Sequence, residues 1–520
     1  MVYSNPDEAL WAYFVVNSAK LPVLSADVTH NAITRILSWD YGWPLFIIHF
    51  LWVRTLNALH IAIHEGTIVV PNVLAGTAVC LLTFFVGRAI KDRRAGLLAA
   101  AFMAVAQLPV MNSRSMGRAV SLGSVFFLFA ALMLIQYIQK PDDNRRRLYA
   151  GISVGLYLCS DLQFPIGAAV LVLLMLLWPR PEGWRNPRKL ARMFVRPRFL
   201  LPPVILFLPY VAAYLYARSL GYPEQTYLGS ILVEHSYDWG IHLIPWLRDL
   251  GSNVGPVLTG VSLISVVLLF TRWHDRRYRW LLSWIAVTAA PFLFAVTWKV
   301  TIAAGYHVHL VVGLAIAAGI GVSMLKRPWL IGLVAALIVG STVFVTCRAV
   351  LGISVPDEVR SSRPIPYGGI PPDSGVKAAG YWVRQHVPPS ARIHVIHDPA
   401  VAHWYMGREA AQLDYTRWPQ YREYLAQHAD ELDVVVVPET TASWENLELP
   451  ARGFEGLVTI VDGGRVACRI ATRWPVEETL QLDRTNTRYN RTYNSIDTIL
   501  PEVGPYVPGK PLTLPGQRPD

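Results

Sequence analysis

From Thr67 to Val350 the chain is a succession of apolar runs of membrane length, separated by short polar turns. Hydrocarbon solvates neither charge nor unpaired backbone, so runs of this kind fold as helices that satisfy their own backbone within a bilayer. Hydropathy marks about ten spans, at 67–87, 95–111, 118–138, 148–162, 165–178, 199–217, 254–271, 280–297, 303–324 and 328–350. The turns between them are of two kinds. Every second one is basic: Arg88, Lys91, Arg93 and Arg94; Lys140 and Arg145 to Arg147; Arg180 through Arg198; Arg272, Arg276, Arg277 and Arg279; Lys326 and Arg327. That alternation is the positive-inside pattern and assigns the basic turns to the cytoplasm. It also accounts for the net charge of +11 without the single basic face that nucleic-acid binding needs. Only 16% of the residues are charged, against about 25% in an ordinary soluble protein.

The stretch "WPLFIIHFLWVRTLNALHIAIHEG", 43–66, is apolar enough to imitate another span. Counting it as one would invert every later turn and place the basic clusters outside. It also carries His49, Arg54, His60 and His64, which are costly at membrane depth. It reads instead as an interfacial helix on the outer side. With residues 1–66 outside, the expectation is a first span before Val2 that this sequence lacks. The cysteines Cys80, Cys159, Cys347 and Cys468 are scattered and form no CxxC pattern, so they indicate neither a disulfide framework nor a redox compartment.

After Leu351 the composition becomes that of a soluble domain. "SGVKAAGYWVRQHVPP" and "WPQYREYLAQHADEL" read as helices, and "ARIHVIHD", "DVVVVP", "GLVTIVDG" and "RVACRIATR" read as strands. The expected architecture is a polytopic α-helical membrane protein with a small extracytoplasmic α/β C-terminal domain. Its parts are an external segment 1–66 with interfacial helices, a transmembrane domain 67–350, a linker 351–375, the α/β domain 376–473 and an extended tail 474–520. His394, His397 and His403 lack the companion ligands of a zinc site, and HxxH on a strand turns the two rings to opposite faces. No phosphate-binding glycine motif appears, which leaves a soluble nucleotide-sugar donor unsupported.

The opening "SNPDEALWAYF" sets an acid pair, Asp7 and Glu8, ahead of every span. Two readings fit it. Asn5 is a good N-cap, Pro6 suits the first helical position and Glu8 takes the place of a capping-box acid, so the pair can simply start a helix. The other reading makes the acids the chemical end of the molecule.

Around that pair the sequence runs in a definite order. "PDEALWAYFVVNSAK" is followed by "YGWPLFIIHFLWVRTLNAL", an apolar span, "VGRAIKDRRAGLLAAAFMAVAQLPV" and "NSRSMGRAVSLGSVFFLFAAL". The succession resembles the N-terminal half of the GT-C class of integral-membrane glycosyltransferases, which includes the protein O-mannosyltransferases and the aminoarabinose transferases. The resemblance is specific over roughly the first 140 residues and architectural beyond them. It departs from the family at "GWPL", where Trp43 replaces the first of two prolines, and at "SMGRAVSLG", which lacks the Asp of the aminoarabinose transferases.

The resemblance implies transfer of a hexosyl or pentosyl unit, with inversion, from a polyprenyl-phosphate sugar donor to an extracytoplasmic acceptor that is a lipid, a glycan or a protein. The enzyme would be a multi-pass protein of the cytoplasmic (inner) membrane, with membrane lipid as its surroundings. A lipid phosphate is a good leaving group, so one carboxylate base and several cations suffice, and no cofactor or divalent cation is called for. Asp7 is then the candidate base, with Glu8 capping the helix or orienting the acceptor. Arg118, in the position of an arginine the family keeps, and Arg114 are candidates for the donor phosphate, and equally for membrane-interface anchors. Lys299, Tyr306 and His307 in "TWKVTIAAGYHVH" are second candidates there, Tyr306 also for the acceptor or the pocket, with interfacial snorkelling the favoured rival explanation. Asp27, Asp40 and Asp161 are candidates for the acceptor or the pocket wall, and also for ordinary loop acids. The loop "YPEQTYLGSILVEHSYDWGIHLIPWLRDLG" reads as a lid or as irregular structure. The rival functions are a transporter or flippase of lipid-linked sugars and an inactive scaffold of the same architecture.

Overall fold

The computed structural model describes residues 42–61, 65–106, 109–110, 120–160, 164–181, 195–219, 238–239, 243–296, 308–351, 375–396, 413–416, 421–438, 447–462 and 465–482, with Val15, Ser113, Arg188 and Arg192 as single positions. Each of the ten apolar runs coincides with a helix: α2 (Val70–Ile90), α3 (Arg93–Val105), α4 (Val120–Gln139), α5 (Asn144–Leu158), α6 (Phe164–Leu177), α7 (Pro197–Ser219), α9 (Pro256–Phe270), α10 (Arg276–Phe294), α11 (Val308–Ser323) and α12 (Pro328–Leu351). Before them lies α1 (Trp43–Ala58), and within the expected lid loop lies α8 (Leu243–Val254). Three helices, Val70–Ile90, Leu122–Gln139 and Pro328–Cys347, are long and apolar enough to cross a membrane by length and composition. Leu74, Leu81, Ile205, Leu215, Ile264 and Phe344 are 57–63% exposed. In water such a surface would drive association; in lipid it is the ordinary exterior of a helical bundle.

Helix α11 sits at the centre, with every residue from Val308 to Val322 buried. A helix that is apolar all round has no face to turn to a polar solvent and collects neighbours on all sides. Gly319 lies against the Ala95 carbonyl and the Ala99 backbone of α3, so small residues set this approach. The α5–α7 contact is built differently. Pro203 has no N–H, which leaves the Phe199 carbonyl without its helical donor. Gly151 faces that carbonyl so closely that a Cβ would come within 2.5 Å of the oxygen. One turn on, a Cβ at Gly155 would fall 2.9 Å from Pro203 Cα and 2.8 Å from the Leu206 side chain.

The basic turns meet at one end. Lys91 Nζ, after α2, donates to Ser323 Oγ at 2.6 Å, at the close of α11. Burial lowers the proton affinity of Lys91 below the usual lysine value; Asp92 opposes the shift and Arg272, in the α9–α10 turn, adds to it. Arg277 lies over the Trp178 ring at 6.0 Å, and Arg196 reaches Asp142 at 4.0 Å, which joins the remaining turns to the group. Two of the acids among these cations, Asp92 and Asp143, are helix caps. Asp92 accepts from Ala95 N at 2.8 Å, and Asp143 accepts from Arg145 N at 2.9 Å and Arg146 N at 3.2 Å.

Helix α1 docks at the opposite end. Its N-terminus is held by the outgoing end of α5: Gly42 has φ 95° and sits where a Cβ would fall 2.1 Å from the Cys159 carbonyl oxygen. Trp43 donates its backbone N–H to the Tyr210 hydroxyl and its indole N–H to Leu206 O at 3.2 Å. Tyr210 in turn donates to Cys159 O at 3.0 Å. The helix buries Leu45, Phe46, His49, Phe50, Val53 and Leu56, a stripe of period near 3.6. It ends at His60, whose φ of 54° gives the left-handed residue of a Schellman-type cap closed by Ile61 N to Leu56 O at 2.9 Å.

The C-terminal domain comprises α13 (Val376–His386), β1 (Ile393–Ile396), β2 (Leu413–Thr416), α14 (Tyr421–His428), β3 (Val434–Pro438), β4 (Gly456–Asp462), β5 (Arg465–Thr472) and β6 (Glu477–Leu482). Its six strands form one mixed sheet in the order β2-β1-β3-β5-β4-β6. Strands β2, β1 and β3 are parallel, β3, β5 and β4 antiparallel, and β6 parallel to β4. Strand β6 falls within the stretch read as an extended tail, so the sheet continues past Trp474 to Leu482. A single hydrophobic cluster unites Leu45, Phe50 and Val53 of α1 with Trp382 of α13 and Val434 and Ile470 of the sheet. The domain therefore packs at the end that carries α1.

Two consequences can be measured. Gly155→Ala should lower the stability of the purified protein by about 1–3 kcal/mol through overpacking, whereas Gly260→Ala, where nothing lies within 4 Å of the added Cβ, should raise it by up to about 1 kcal/mol. Thermal unfolding in detergent compares them, and equal shifts would contradict the close α5–α7 contact. The second concerns His49, whose Nδ1–H donates to Leu45 O at 3.0 Å. Burial pushes its imidazole from 6.5 down to about 4, against the raising effect of that hydrogen bond. Between those values the unfolded chain holds the proton and the folded one does not, so stability present above pH 6.5 is lost on acidification, by about 3 kcal/mol at most. His49→Gln should flatten the melting temperature against pH over that window; an unchanged slope would show that His49 does not set it.

Candidate functional site

At the end opposite the basic turns, three helices bring polar side chains into the bundle. Ser124 lies near the start of α4, Tyr157 in the last turn of α5 and His309 in the first turn of α11. All three are buried. Tyr157 OH and His309 Nε2 are 3.2 Å apart, and Ser124 Oγ and His309 Nδ1 are 3.5 Å apart. An imidazole presents two ring nitrogens, and here a hydroxyl faces each, able to donate or accept as the tautomer requires. The Phe127 ring, one turn from Ser124 on α4, stacks on His309 at 4.4 Å and 16°. Trp284 of α10 donates its indole N–H to the His309 carbonyl at 3.0 Å and meets Phe127 edge-on at 5.2 Å. On α6, a Cβ at Gly167 would lie 1.8 Å from the Tyr157 hydroxyl oxygen, so the space for that hydroxyl exists because residue 167 is glycine.

Other contacts gather further strands of the chain at this same end. Thr346 of α12 donates to Val105 O at the close of α3, at 2.7 Å. Ser113 packs on Gly76 of α2. Asp238–Trp239, from the loop before α8, pairs antiparallel with Ala295–Val296 after α10. Val15, fully buried, belongs to one hydrophobic cluster with Phe46 of α1, Ala75 of α2 and Leu122 of α4. Leu122 is four residues past Arg118, and Val15 is eight past Asp7. Tyr157 is four residues before Asp161, Val296 three before Lys299, and His309 two after His307.

The ten residues singled out from the sequence, Asp7, Glu8, Asp27, Asp40, Arg114, Arg118, Asp161, Lys299, Tyr306 and His307, all lie outside the described residues. What the structure brings together is the set of helix ends from which several of them continue. The Ser124–Tyr157–His309 group escaped sequence reading. Its one mark in the sequence was the second histidine of "GYHVH", six residues past the start of the run read as a span at 303–324. In the C-terminal domain, His394 is buried and stacks on Tyr424 at 4.5 Å, and Tyr424 stacks on His428 at 4.4 Å. His397 and His403 lie outside the described residues. Among the described residues no group of three His, Cys, Asp or Glu side chains could hold a metal ion.

No protein-family model matches the sequence, and no curated protein matches it. Solved structures do match in fold. ArnT from Cupriavidus metallidurans in the apo state aligns over 90% of this chain and 94% of its own, with 13% identity and a TM-score of 0.58. The same protein bound to undecaprenyl phosphate aligns over 91% and 93%, with 14% identity and a TM-score of 0.54. The Archaeoglobus fulgidus oligosaccharyltransferase in the apo form aligns over 87% of this chain and 69% of its own, with 12% identity and a TM-score of 0.50. Both proteins are GT-C glycosyltransferases, and the chain shares their fold.

Proposed function

We propose that the protein is an inverting membrane glycosyltransferase that moves a sugar from a polyprenyl-phosphate donor to an acceptor outside the cytoplasm. The observation that carries this reading is the shared cluster of Val15 and Leu122 at the end opposite the basic turns, in a chain with the fold of ArnT. Val15 is eight residues past Asp7 in the sequence and Leu122 four past Arg118, and this adjacency to the acid pair and to the "SRSMGR" arginines supports the reading. The positive-inside rule makes the end opposite the basic turns the extracytoplasmic one. ArnT is a protein that binds undecaprenyl phosphate, a ligand with the two parts this end could hold, an isoprenoid chain in lipid and a phosphate at its boundary.

In the proposed reaction the Asp7 carboxylate takes the proton of the acceptor hydroxyl or amine. The acceptor atom attacks the anomeric carbon from the face opposite the phosphate, and the bond between that carbon and the phosphate oxygen breaks with its electrons passing to the phosphate. Arg118 and Arg114, with Lys299 and His307, supply positive charge and hydrogen-bond donors to the phosphate as its charge increases. Arginine suits this work because its planar fork can donate two bonds to one phosphate. Glu8 cannot share a helix face with Asp7 and is assigned to capping or to the acceptor. Asp27, Asp40, Asp161 and Tyr306 are assigned to the acceptor side or the pocket wall. No cofactor enters the reaction.

Purified full-length protein incubated with radiolabelled polyprenyl-phosphate sugars and a membrane-lipid acceptor extract tests the proposal. The native protein should transfer label, and Asp7→Asn, isosteric but unable to accept the proton, should slow transfer by about a hundredfold or more. Equal transfer by the two would remove Asp7 from the mechanism, and no transfer by the native protein with any sugar would remove the function.

A further inference from the structure

The Tyr157–His309 contact is unusual in its surroundings. Helix α5 packs along α4 and α7, and α11 packs along α3, α9 and α10; among the described residues α5 and α11 are not packed neighbours. Their ends are connected through side chains: the Tyr157 hydroxyl to His309 Nε2 at 3.2 Å, with Phe127 of α4 against both rings, at 5.3 Å from Tyr157 and 4.4 Å from His309. Beyond these residues the chain enters two of the stretches assigned above to the site. Asp161 follows Tyr157, and Lys299 to His307 precede His309.

We propose that the Tyr157–His309 pair is a positioning element for the donor phosphate: it fixes the outgoing end of α5 against the incoming end of α11 and thereby sets the spacing of the groups that flank them. The proposal rests on the glycosyltransferase reading and extends it to two residues that reach no substrate themselves. A buried polar pair in lipid or in a bundle core is costly to leave half-made, which makes the pair a stiff connection between two helices that do not pack along each other. Gly167 serves the same arrangement from a third helix by leaving room for the hydroxyl. The register of the pair is therefore specified at Tyr157, His309 and Gly167 together.

The test uses full-length protein in lipid nanodiscs, with undecaprenyl phosphate as the binding probe and sugar transfer as the kinetic readout. Tyr157→Phe and His309→Ala should each weaken probe binding and raise the donor KM by about tenfold, the effect of one buried hydrogen bond, with kcat changed much less. The double variant should be no worse than either single one, because both remove the same connection. His309→Gln, which restores a side-chain nitrogen near the Nε2 position, should recover most of the affinity. Gly167→Ala, which displaces the hydroxyl without altering either partner, should repeat the effect of Tyr157→Phe. Ser262→Ala is the control: that buried hydroxyl bonds only to Leu258 O of its own helix, at 2.7 Å, and its loss should leave the donor KM alone. Variants that melt earlier yet keep the native donor KM would overturn the inference, since the pair would then be structural only. A native protein that neither binds the probe nor transfers sugar would sink the glycosyltransferase reading and this inference with it. Native binding with unchanged affinity in the Tyr157 and His309 variants would sink the inference alone.

Discussion

A cation cannot be left in hydrocarbon without cost, and that constraint organises this molecule. A charged side chain at the middle of a bilayer costs at least about 2.5 kcal/mol, and the basic turns of the sequence accordingly collect at one end, through the contacts of Lys91 with Ser323, Arg196 with Asp142 and Arg277 with Trp178. Once five basic turns share one end, the helices between them have their directions assigned. Two acids sit among the cations as helix caps: Asp92 and Asp143 each hold the first turn of a helix, α3 and α5, that carries arginines in that turn.

Much of this was legible in the sequence because a bilayer is a simple solvent. Length and apolarity located the helices, since any other use of those residues would leave backbone groups unpaired. Hydropathy could not rank them. Helix α11 is buried from Val308 to Val322, and α12, just as apolar, exposes Trp329, Leu333 and Phe344. Both read as uniform apolar runs, because lipid and protein core make the same demand on composition. The soluble domain shows the converse. Its four inner strands, which include the fully buried "VVVVP" of β3, were readable from their apolar β-branched character. The edge strands β2, "LDYT", and β6, "EETLQL", were not, because an edge needs only one partner and tolerates polar residues. His309 was hidden for a related reason: a histidine one turn inside a span and one at its boundary are indistinguishable until partners such as Tyr157 and Ser124 are known.

The departure at "GWPL" acquires a physical account. Where a proline stands before Pro44 there is no N–H to donate. Trp43 supplies that N–H to the Tyr210 hydroxyl, and its indole adds a second bond to Leu206 O. Both acceptors belong to α7, a helix with Pro202, Pro203 and Pro209 in its interior. A proline removes one backbone donor from the i→i−4 ladder and leaves a carbonyl to be met by something else. In α7 the carbonyl so affected by Pro203 is that of Phe199, which lies close against Gly151 of α5. Leu206 O, four residues before Tyr210, accepts in addition from the Trp43 indole and the Cys159 thiol, at 3.2 and 3.3 Å, and these contacts anchor α1 to the outgoing end of α5.

That anchoring bears on how a site could be enclosed at this end. Helix α1 is tied to α5 through Gly42 and Trp43, and it is tied to the C-terminal domain through the cluster that runs from Phe46 and Phe50 to Trp382 and Ile470. A domain attached through a hydrophobic cluster does not swing freely, because separating it would expose the apolar faces of both parts to water. The α/β domain is therefore a fixed neighbour of the helix ends that carry Tyr157, Ser124 and His309.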